Sequence, residues 1–168
     1  MKVLITGGTG FIGKQIANKI LALGSLAFDG EQAQTVDKVI LFDAFAGEEL
    51  PQDPRVEVIV GDITDKALVE NITQDIDVVW HLAAVVSSAA EADFDLGMDV
   101  NLYGLLCLLE ALRKQDSKPR VIFASGCAVF GGDLPEVVTD ETVVTPKSSY
   151  GMQKAVGELL VSDYSRKG

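Results

Sequence analysis

The chain has 168 residues, of which 48% are hydrophobic and 23% charged, a composition typical of one folded domain with a substantial core. Its 25 acidic and 14 basic residues give a formal net charge of −11, which would repel nucleic-acid phosphates and anionic lipid, so neither is an expected partner. The two cysteines lack metal-ligand spacing, and no signal peptide or membrane-spanning run is apparent. We therefore expect a soluble, cytoplasmic protein with reduced thiols and no metal.

Short β-branched runs alternate along the chain with longer segments of helical periodicity. The predicted elements, in chain order, are a strand at 2–6, a helix from about Gly10 to Gly24, a polar connection at 25–37, strands at 38–43 and 56–62, a short helix at 65–74, a strand at 77–84, a helix at 93–115, a strand at 120–125, an irregular segment at 126–147 and a helix at 149–167. The strands are continuous apolar runs, which favours a parallel sheet covered on both faces. The pattern predicts an α/β fold, a Rossmann-type doubly wound sheet of at least five strands in the order 3-2-1-4-5.

The segment TGGTGFIG, residues 6–13, follows the first strand and opens the first helix. This context favours a dinucleotide-binding loop over chance glycines in a flexible turn. Gly7 suits a tight turn, Gly10 leaves room for a pyrophosphate at the helix N-terminus, and Gly13 permits close contact between helix and strand. We include the intervening Phe11 and Ile12 among the cofactor-binding residues.

The second strand ends in Asp43, whose carboxylate can accept hydrogen bonds from both hydroxyls of an adenosine ribose and would repel a 2′-phosphate. We therefore expect NAD rather than NADP. Asp43 lies 30 residues beyond Gly13, further than the usual spacing, and the long 25–37 connection accounts for the difference. His81, the chain's only histidine, is expected to be structural. Further predicted cofactor contacts follow the third and fourth strands, namely Asp62, Ile63, Ala83, Ala84 and Val85.

Tyr150 and Lys154 are four residues apart near the start of the last helix, which places phenol and ammonium on one helix face. A nearby cation would stabilise the phenolate, so Tyr150 could act as a base while Ser125 positions a substrate hydroxyl. The same spacing is also common in exposed helix pairs. Its position after a glycine-rich strand–helix start and a strand ending in Ser125 favours catalysis.

These motifs together resemble the extended short-chain dehydrogenase/reductase family, the NAD-dependent epimerase/dehydratase group. The resemblance covers essentially the whole chain, through TGGTGFIG, Asp43, GDITD, HLAA, VNLYG, SGCAVFG and SYGMQK. Two longer segments, 81–104 and 148–168, look most like the D-erythronate dehydrogenase subgroup, which oxidises a four-carbon sugar acid. The resemblance implies that Tyr150 is the base, that Lys154 holds the nicotinamide ribose and lowers the pKa of Tyr150, and that Asn101 supports the intervening helix. It also implies a homodimer formed through the helices at 93–115 and 149–167.

Two departures from the family pattern stand out. The family commonly has a second Ser or Thr immediately after the position of Ser125, where this chain has Gly126. Extended members are also about twice as long, so we expect residues 1–168 to form the NAD(P)-binding domain without the C-terminal substrate region. The leading interpretation is an NAD-dependent oxidoreductase that acts on a secondary alcohol of a sugar acid. The alternatives are a nucleotide-sugar epimerase or dehydratase, or a dinucleotide-binding module without turnover.

Overall fold

The computed structural model describes residues 1–167. The strands are β1 (Lys2–Thr6), β2 (Ser25–Leu26), β3 (Gln34–Thr35), β4 (Lys38–Asp43), β5 (Val56–Val60), β6 (Val78–His81) and β7 (Arg120–Phe123). The helices are α1 (Phe11–Leu23), α2 (Lys66–Ile72), α3 (Ser87–Ala92), α4 (Phe94–Gly97), a π-helical turn (Met98–Tyr103), α5 (Gly104–Leu112), a 3-10 turn (Cys127–Val129) and α6 (Ser149–Lys167).

Five of the strands form one parallel sheet in the order β5-β4-β1-β6-β7. The predicted order 3-2-1-4-5 is confirmed, because β2 and β3 stand outside this sheet. They pair with each other as a small antiparallel ribbon inside the connection that the sequence suggested was irregular. Helices cross between β1 and β4, between β5 and β6 and between β6 and β7, whereas the connection from β4 to β5, residues 44–55, contains no helix.

The sheet is buried on both faces around its central strand β1. Leu4 packs on one face with the cluster that includes Val79 and Leu108. Val3 and Ile5 pack on the other face against α1. Burial of a leucine or isoleucine side chain stabilises a fold by roughly 1.5–3 kcal/mol, so these strands form a rigid platform for the loops at their carboxyl ends.

The helix predicted at 93–115 has a different construction. A short helix, α3, precedes it, and Asp93 breaks the chain direction with an extended backbone at φ −135°. The segment 94–112 then runs as α4, the π-helical turn and α5, with the N–H of Gly104 bonded to the carbonyl of Asp99, five residues back. A π turn inserts one extra residue into a helical ladder, which periodicity over a long window does not resolve.

A groove lies beside β7, one of the two outer strands of the sheet. Beside β7, at the amino ends of the strands, a groove of about 370 Å³ lies between α5 and α6. Its lining combines apolar and basic side chains, among them Leu112, Arg113 and Val161.

Among the described residues, no helix is both long and apolar enough to cross a membrane.

Candidate active site

The glycine-rich loop connects β1 to α1 at the carboxyl edge of the sheet. Gly7 has a left-handed backbone at φ +68°, and a Cβ there would lie 2.9 Å from the backbone nitrogen of Ala83. A Cβ on Gly13 would collide with the Gly7 carbonyl oxygen, so the helix can approach the turn only without a side chain. Gly8, which the sequence analysis did not single out, is equally constrained, since its Cβ would lie 2.6 Å from the Ile5 carbonyl oxygen.

The first turn of α1 offers backbone donors to a ligand. Gly10 precedes the helix with φ −72° and ψ 175°, and none of the described side chains caps this end. Phe11 and Ile12, the first two helical residues, are 79% and 61% exposed. Free N–H groups and the positive end of the helix dipole together favour an anion such as a phosphate.

Asp43 ends β4 beside the same loop. Its Oδ2 accepts a hydrogen bond from the backbone N–H of Thr9 at 3.1 Å. The Thr9 hydroxyl in turn donates to the carbonyl of Phe45 at 3.1 Å, so the loop after Asp43 is fixed to the glycine-rich turn. Sequence reasoning missed Thr9, although its place between two glycines of the motif is a usable signal.

The residues predicted near the adenine occupy different environments. Asp62 Oδ1 accepts bonds of 2.8 Å from both the backbone N–H and the hydroxyl of Thr64. The Ile63 side chain is buried in the core against Gly104. Only the backbone of Ile63 is therefore placed to line a ligand site.

The Thr6 side chain fixes the segment that follows β6. Its hydroxyl oxygen accepts a bond from the Ala83 N–H at 3.2 Å and lies 2.7 Å from His81 Nδ1. Burial, with a smaller contribution from the charge of Lys154, lowers the pKa of His81 to about 3. The imidazole is therefore neutral at physiological pH and bonded through Nδ1 to Thr6, in keeping with its expected structural role.

Asn101 lies on the π-helical turn and fixes the next part of this segment. Its Oδ1 accepts from the Val85 N–H at 2.8 Å, and its Nδ2 donates to the Val85 carbonyl at 3.2 Å. The same Nδ2 donates to Gln153 Oε1 on α6 at 2.8 Å. The structure thus links the π turn, the segment after β6 and α6, and Gln153 is a further residue that the motif search passed over.

Tyr150 and Lys154 share one face of α6, opposite the turn that follows β7. Lys154 is only 3% exposed, and its Nζ donates to the Ala124 carbonyl at 2.9 Å. The ammonium also lies 4.8 Å from the centroid of the Phe123 ring and 5.7 Å from that of Tyr150. Burial without a carboxylate partner lowers the pKa of Lys154 to about 8.

The phenol of Tyr150 is not activated in this arrangement. Burial, and to a smaller extent the neighbouring Cys127, raises the pKa of Tyr150 above its ordinary value. The Lys154 ammonium donates to the Ala124 carbonyl, and the lowering of the Tyr150 pKa that the resemblance implied stays a prediction. Tyr150 is consequently protonated at neutral pH.

Ser125 is directed away from Tyr150. Its hydroxyl donates to Glu158 Oε1, one turn beyond Lys154 on α6. The neighbouring position faces the phenol instead, since a Cβ on Gly126 would lie 3.7 Å from Tyr150 Cε1 and 3.8 Å from its hydroxyl oxygen. The structure therefore brings Tyr150 and Lys154 together and places Gly126, rather than the Ser125 hydroxyl, beside the phenol.

Comparison with known proteins gives consistent matches over the whole chain. A family model described as the NAD dependent epimerase/dehydratase family matches residues 3–168. Among curated proteins, D-erythronate dehydrogenases from Cupriavidus necator and Haemophilus influenzae are 53% and 44% identical over 100% of this chain, which covers 52% and 51% of their own lengths. The chain thus spans about half the length of these relatives.

Solved structures match the same region. A nucleoside-diphosphate-sugar epimerase from Agrobacterium tumefaciens superposes with a TM-score of 0.90 at 39% identity, over 100% of this chain and 49% of that one. UDP-glucose 4-epimerase from Thermus thermophilus, solved in complex with NAD, gives 0.83 at 32% identity, over 99% and 51%.

Proposed function

Because the chain belongs to the NAD dependent epimerase/dehydratase family, we propose that it binds NAD+ along the carboxyl edge of its sheet and is the cofactor-binding half of a sugar-acid dehydrogenase. The sequence identity to two D-erythronate dehydrogenases over the full chain is the observation that supports this substrate class. The reaction is the oxidation of a secondary alcohol of a D-erythronate-like acid.

The residues at the sheet edge suit a dinucleotide in shape and charge. The uncapped first turn of α1, behind side-chain-free Gly7 and Gly10, accepts the pyrophosphate. The carboxylate of Asp43, oriented by Thr9, takes the adenosine ribose hydroxyls and disfavours a 2′-phosphate. Along the same sheet edge, Val85 and Lys154 would hold the nicotinamide end, and Asp62 and the Ile63 backbone would hold the adenine end. Bound NAD+ would supply the two-electron acceptor that takes the hydride from the alcohol carbon.

The phenolate form of Tyr150 would take the proton of the substrate hydroxyl as that hydride leaves, so the alcohol becomes a ketone and Tyr150 a neutral phenol. Because the pKa of the free phenol is raised, only a small fraction of the protein holds a phenolate at neutral pH. Lys154, 5.7 Å from the phenol ring, supplies the positive charge that favours the phenolate. Ser125 can position the substrate only if its hydroxyl leaves Glu158.

A nucleotide-sugar epimerase is the second candidate. It is favoured by the structural match to the nucleoside-diphosphate-sugar epimerase at a TM-score of 0.90. Such an enzyme begins with the same oxidation and then returns the hydride, so the residues described here serve both reactions. A dinucleotide-binding module without turnover is the third candidate, because the Ser125 hydroxyl is bonded to Glu158 and is not free to orient a substrate.

Calorimetric titration of the chain with NAD+ and NADP+ tests the cofactor assignment. We expect NAD+ to bind more tightly, and equal affinities would remove the role given to Asp43. The reaction is tested with the whole protein, by NADH absorbance for oxidation of D-erythronate and by chromatographic detection of the C4 epimer for turnover of UDP-glucose. D-erythronate should be oxidised, and Tyr150→Phe should abolish turnover while NAD+ still binds. Turnover of UDP-glucose alone would favour the epimerase, and activity retained by Tyr150→Phe would exclude Tyr150 as the base.

We further propose a homodimer formed through the helices of 94–112 and α6. These elements carry apolar side chains that are more than half exposed, including Phe94, Tyr103 and Leu159. Two copies pairing over such surfaces would cover them. Sedimentation equilibrium should give twice the monomer mass, and a monomer at micromolar concentration would contradict the proposal.

A further inference from the structure

Gln153 is an unusual residue in the interior of α6. It lies between Tyr150 and Lys154 in sequence and has no exposed surface. Its Oε1 accepts from Asn101, but its Nε2 is buried without a hydrogen-bond partner among the described residues. An unpaired buried amide lowers stability, so packing alone would favour an apolar side chain of the same length at this position.

The surrounding helices make room for this amide. A Cβ on Gly97 would lie 2.7 Å from Gln153 Nε2 and 3.0 Å from the Cβ of Ala90. The glycine therefore lets α3, α4 and α6 converge around a polar group that gains only one hydrogen bond there. The fold accommodates the Gln153 amide at the expense of one unpaired donor.

The single bond that Gln153 does make has a specific consequence. It reinforces the rotation of the Asn101 amide that the two bonds to Val85 require, because Nδ2 donates to Gln153 Oε1 while Oδ1 accepts from the Val85 N–H. A rotated amide would present its NH2 to the Val85 N–H and its oxygen to the Val85 carbonyl, so both bonds to Val85 would be lost. Gln153 is thereby connected to the backbone of the segment after β6.

We propose that Gln153 is a positioning residue that acts through Asn101 and holds the Val85 backbone at a fixed position relative to Tyr150 and Lys154. The hydrogen-bond chain stands on the geometry alone, and its effect on cofactor binding rests on the proposed function. Tyr150 and Lys154 then lie on one face of α6. The buried Gln153 sets the distance between that face and the Val85 backbone on the other side of the proposed cofactor site.

The test replaces Gln153 with methionine, which keeps the length of the side chain and removes the acceptor. Amide hydrogen exchange in ¹⁵N-labelled chain reports on the Val85 N–H directly, without any ligand. We expect exchange at Val85 to be about tenfold faster in Gln153→Met, as the loss of one hydrogen bond allows. The unfolding midpoint in urea should stay unchanged or rise, because the unpaired Nε2 is removed together with the acceptor.

The matched control is Gln115→Met, since Gln115 is likewise a glutamine held by a side-chain hydrogen bond, which it donates to the Thr73 carbonyl far from this site. It should leave exchange at Val85 and NAD+ affinity unchanged. In an Asn101→Leu background, which already frees Val85, Gln153→Met should add nothing further.

Two results would overturn the inference. Exchange at Val85 in Gln153→Met that equals wild type, or that rises only in step with the core amide of Ile5, would leave Gln153 a packing residue. NAD+ affinity should fall several-fold in Gln153→Met, and an unchanged affinity with a mobile Val85 would remove its effect on the cofactor. If wild-type chain itself fails to bind NAD+, the proposed function fails, while exchange at Val85 still decides whether Gln153 positions the segment.

Discussion

Replacing Lys154 with methionine should stabilise the folded chain at neutral pH. The ammonium is 3% exposed, and no carboxylate among the described residues pairs with it. Burial lowers its pKa from 10.5 to about 8. Since one pKa unit corresponds to about 1.4 kcal/mol, the charged form lowers the free energy of unfolding by about 3 kcal/mol at pH 7.

Part of this gain is offset in the variant. Methionine leaves the Ala124 carbonyl without the donor that Lys154 supplies at 2.9 Å, a loss of about 1 kcal/mol. The net prediction for Lys154→Met is a free energy of unfolding about 2 kcal/mol above wild type at pH 7. NAD+ affinity should fall at the same time, because we propose that Lys154 holds the nicotinamide ribose.

The sign of the pH dependence follows from the direction of the shift. The folded-state pKa lies below the unfolded-state value, so the unfolded chain binds the additional proton between about pH 8 and 10.5. The destabilisation by Lys154 is complete below about pH 8 and disappears as the pH rises toward 10.5, so wild-type stability rises over this range. The advantage of Lys154→Met should therefore shrink to about zero near pH 10.

Urea unfolding followed by circular dichroism at pH 7, 8, 9 and 10 measures this difference. Lys114→Met is the matched control, because Lys114 is exposed and paired with Glu70. That variant should change stability by no more than about 0.5 kcal/mol, with no trend over the same range. A Lys154→Met chain that is less stable than wild type at pH 7, or a difference that does not vary with pH, would refute the reasoning.

Three other perturbations have defined outcomes. His81→Gln should remove an acid-dependent loss of stability, because the pKa of His81 is lowered to about 3 in the folded chain, whereas the unfolded chain takes up a proton as the pH falls below about 6.5. Urea midpoints at pH 4 and 7 measure this loss. An equal loss of stability in acid for both chains would contradict the prediction. Gly126→Ser should fold normally, since the backbone there is extended at φ −164°. The variant should lower the Tyr150 pKa in an ultraviolet phenolate titration, because position 126 faces the phenol. An unchanged Tyr150 pKa would count against contact between the new hydroxyl and the phenol. Asp43→Asn should weaken NAD+ binding about tenfold by calorimetry and reduce the preference over NADP+, whereas an unaltered preference would mean that another group selects the cofactor.

The sheet was predictable because local pattern and global fold agree. Runs such as KVLIT and KVILFD are buried on both faces, and strand–helix alternation leaves few topologies. The small β2–β3 ribbon was not predictable, since two-residue strands carry no periodicity. The π turn was missed for a related reason, because one inserted residue barely alters the apolar count of a long helical window.

The candidate site was predictable in its residue types but not in its orientations. Tyr150 and Lys154 share a face because helix geometry fixes residues four apart. The partner of Ser125 is Glu158, 33 residues away, and nothing in the local sequence indicates that contact. The Lys154 ammonium likewise faces the Ala124 carbonyl because of how α6 packs on β7, and the burial that raises the Tyr150 pKa is also a tertiary property.

The π turn at 98–103 also divides its helix into two registers. An α-helix rotates about 100° per residue, so one extra residue turns everything after it by about that angle. Leu105 and Leu108 reach the core in the register that follows the turn, whereas Asn101 meets Val85 within it. Deleting one residue here would restore an unbroken α-helix and yet misplace either the leucines or the asparagine. Single-residue insertions and deletions should therefore be as poorly tolerated in this helix as inside a sheet strand, and a gap placed here in an alignment would mark a real change of architecture.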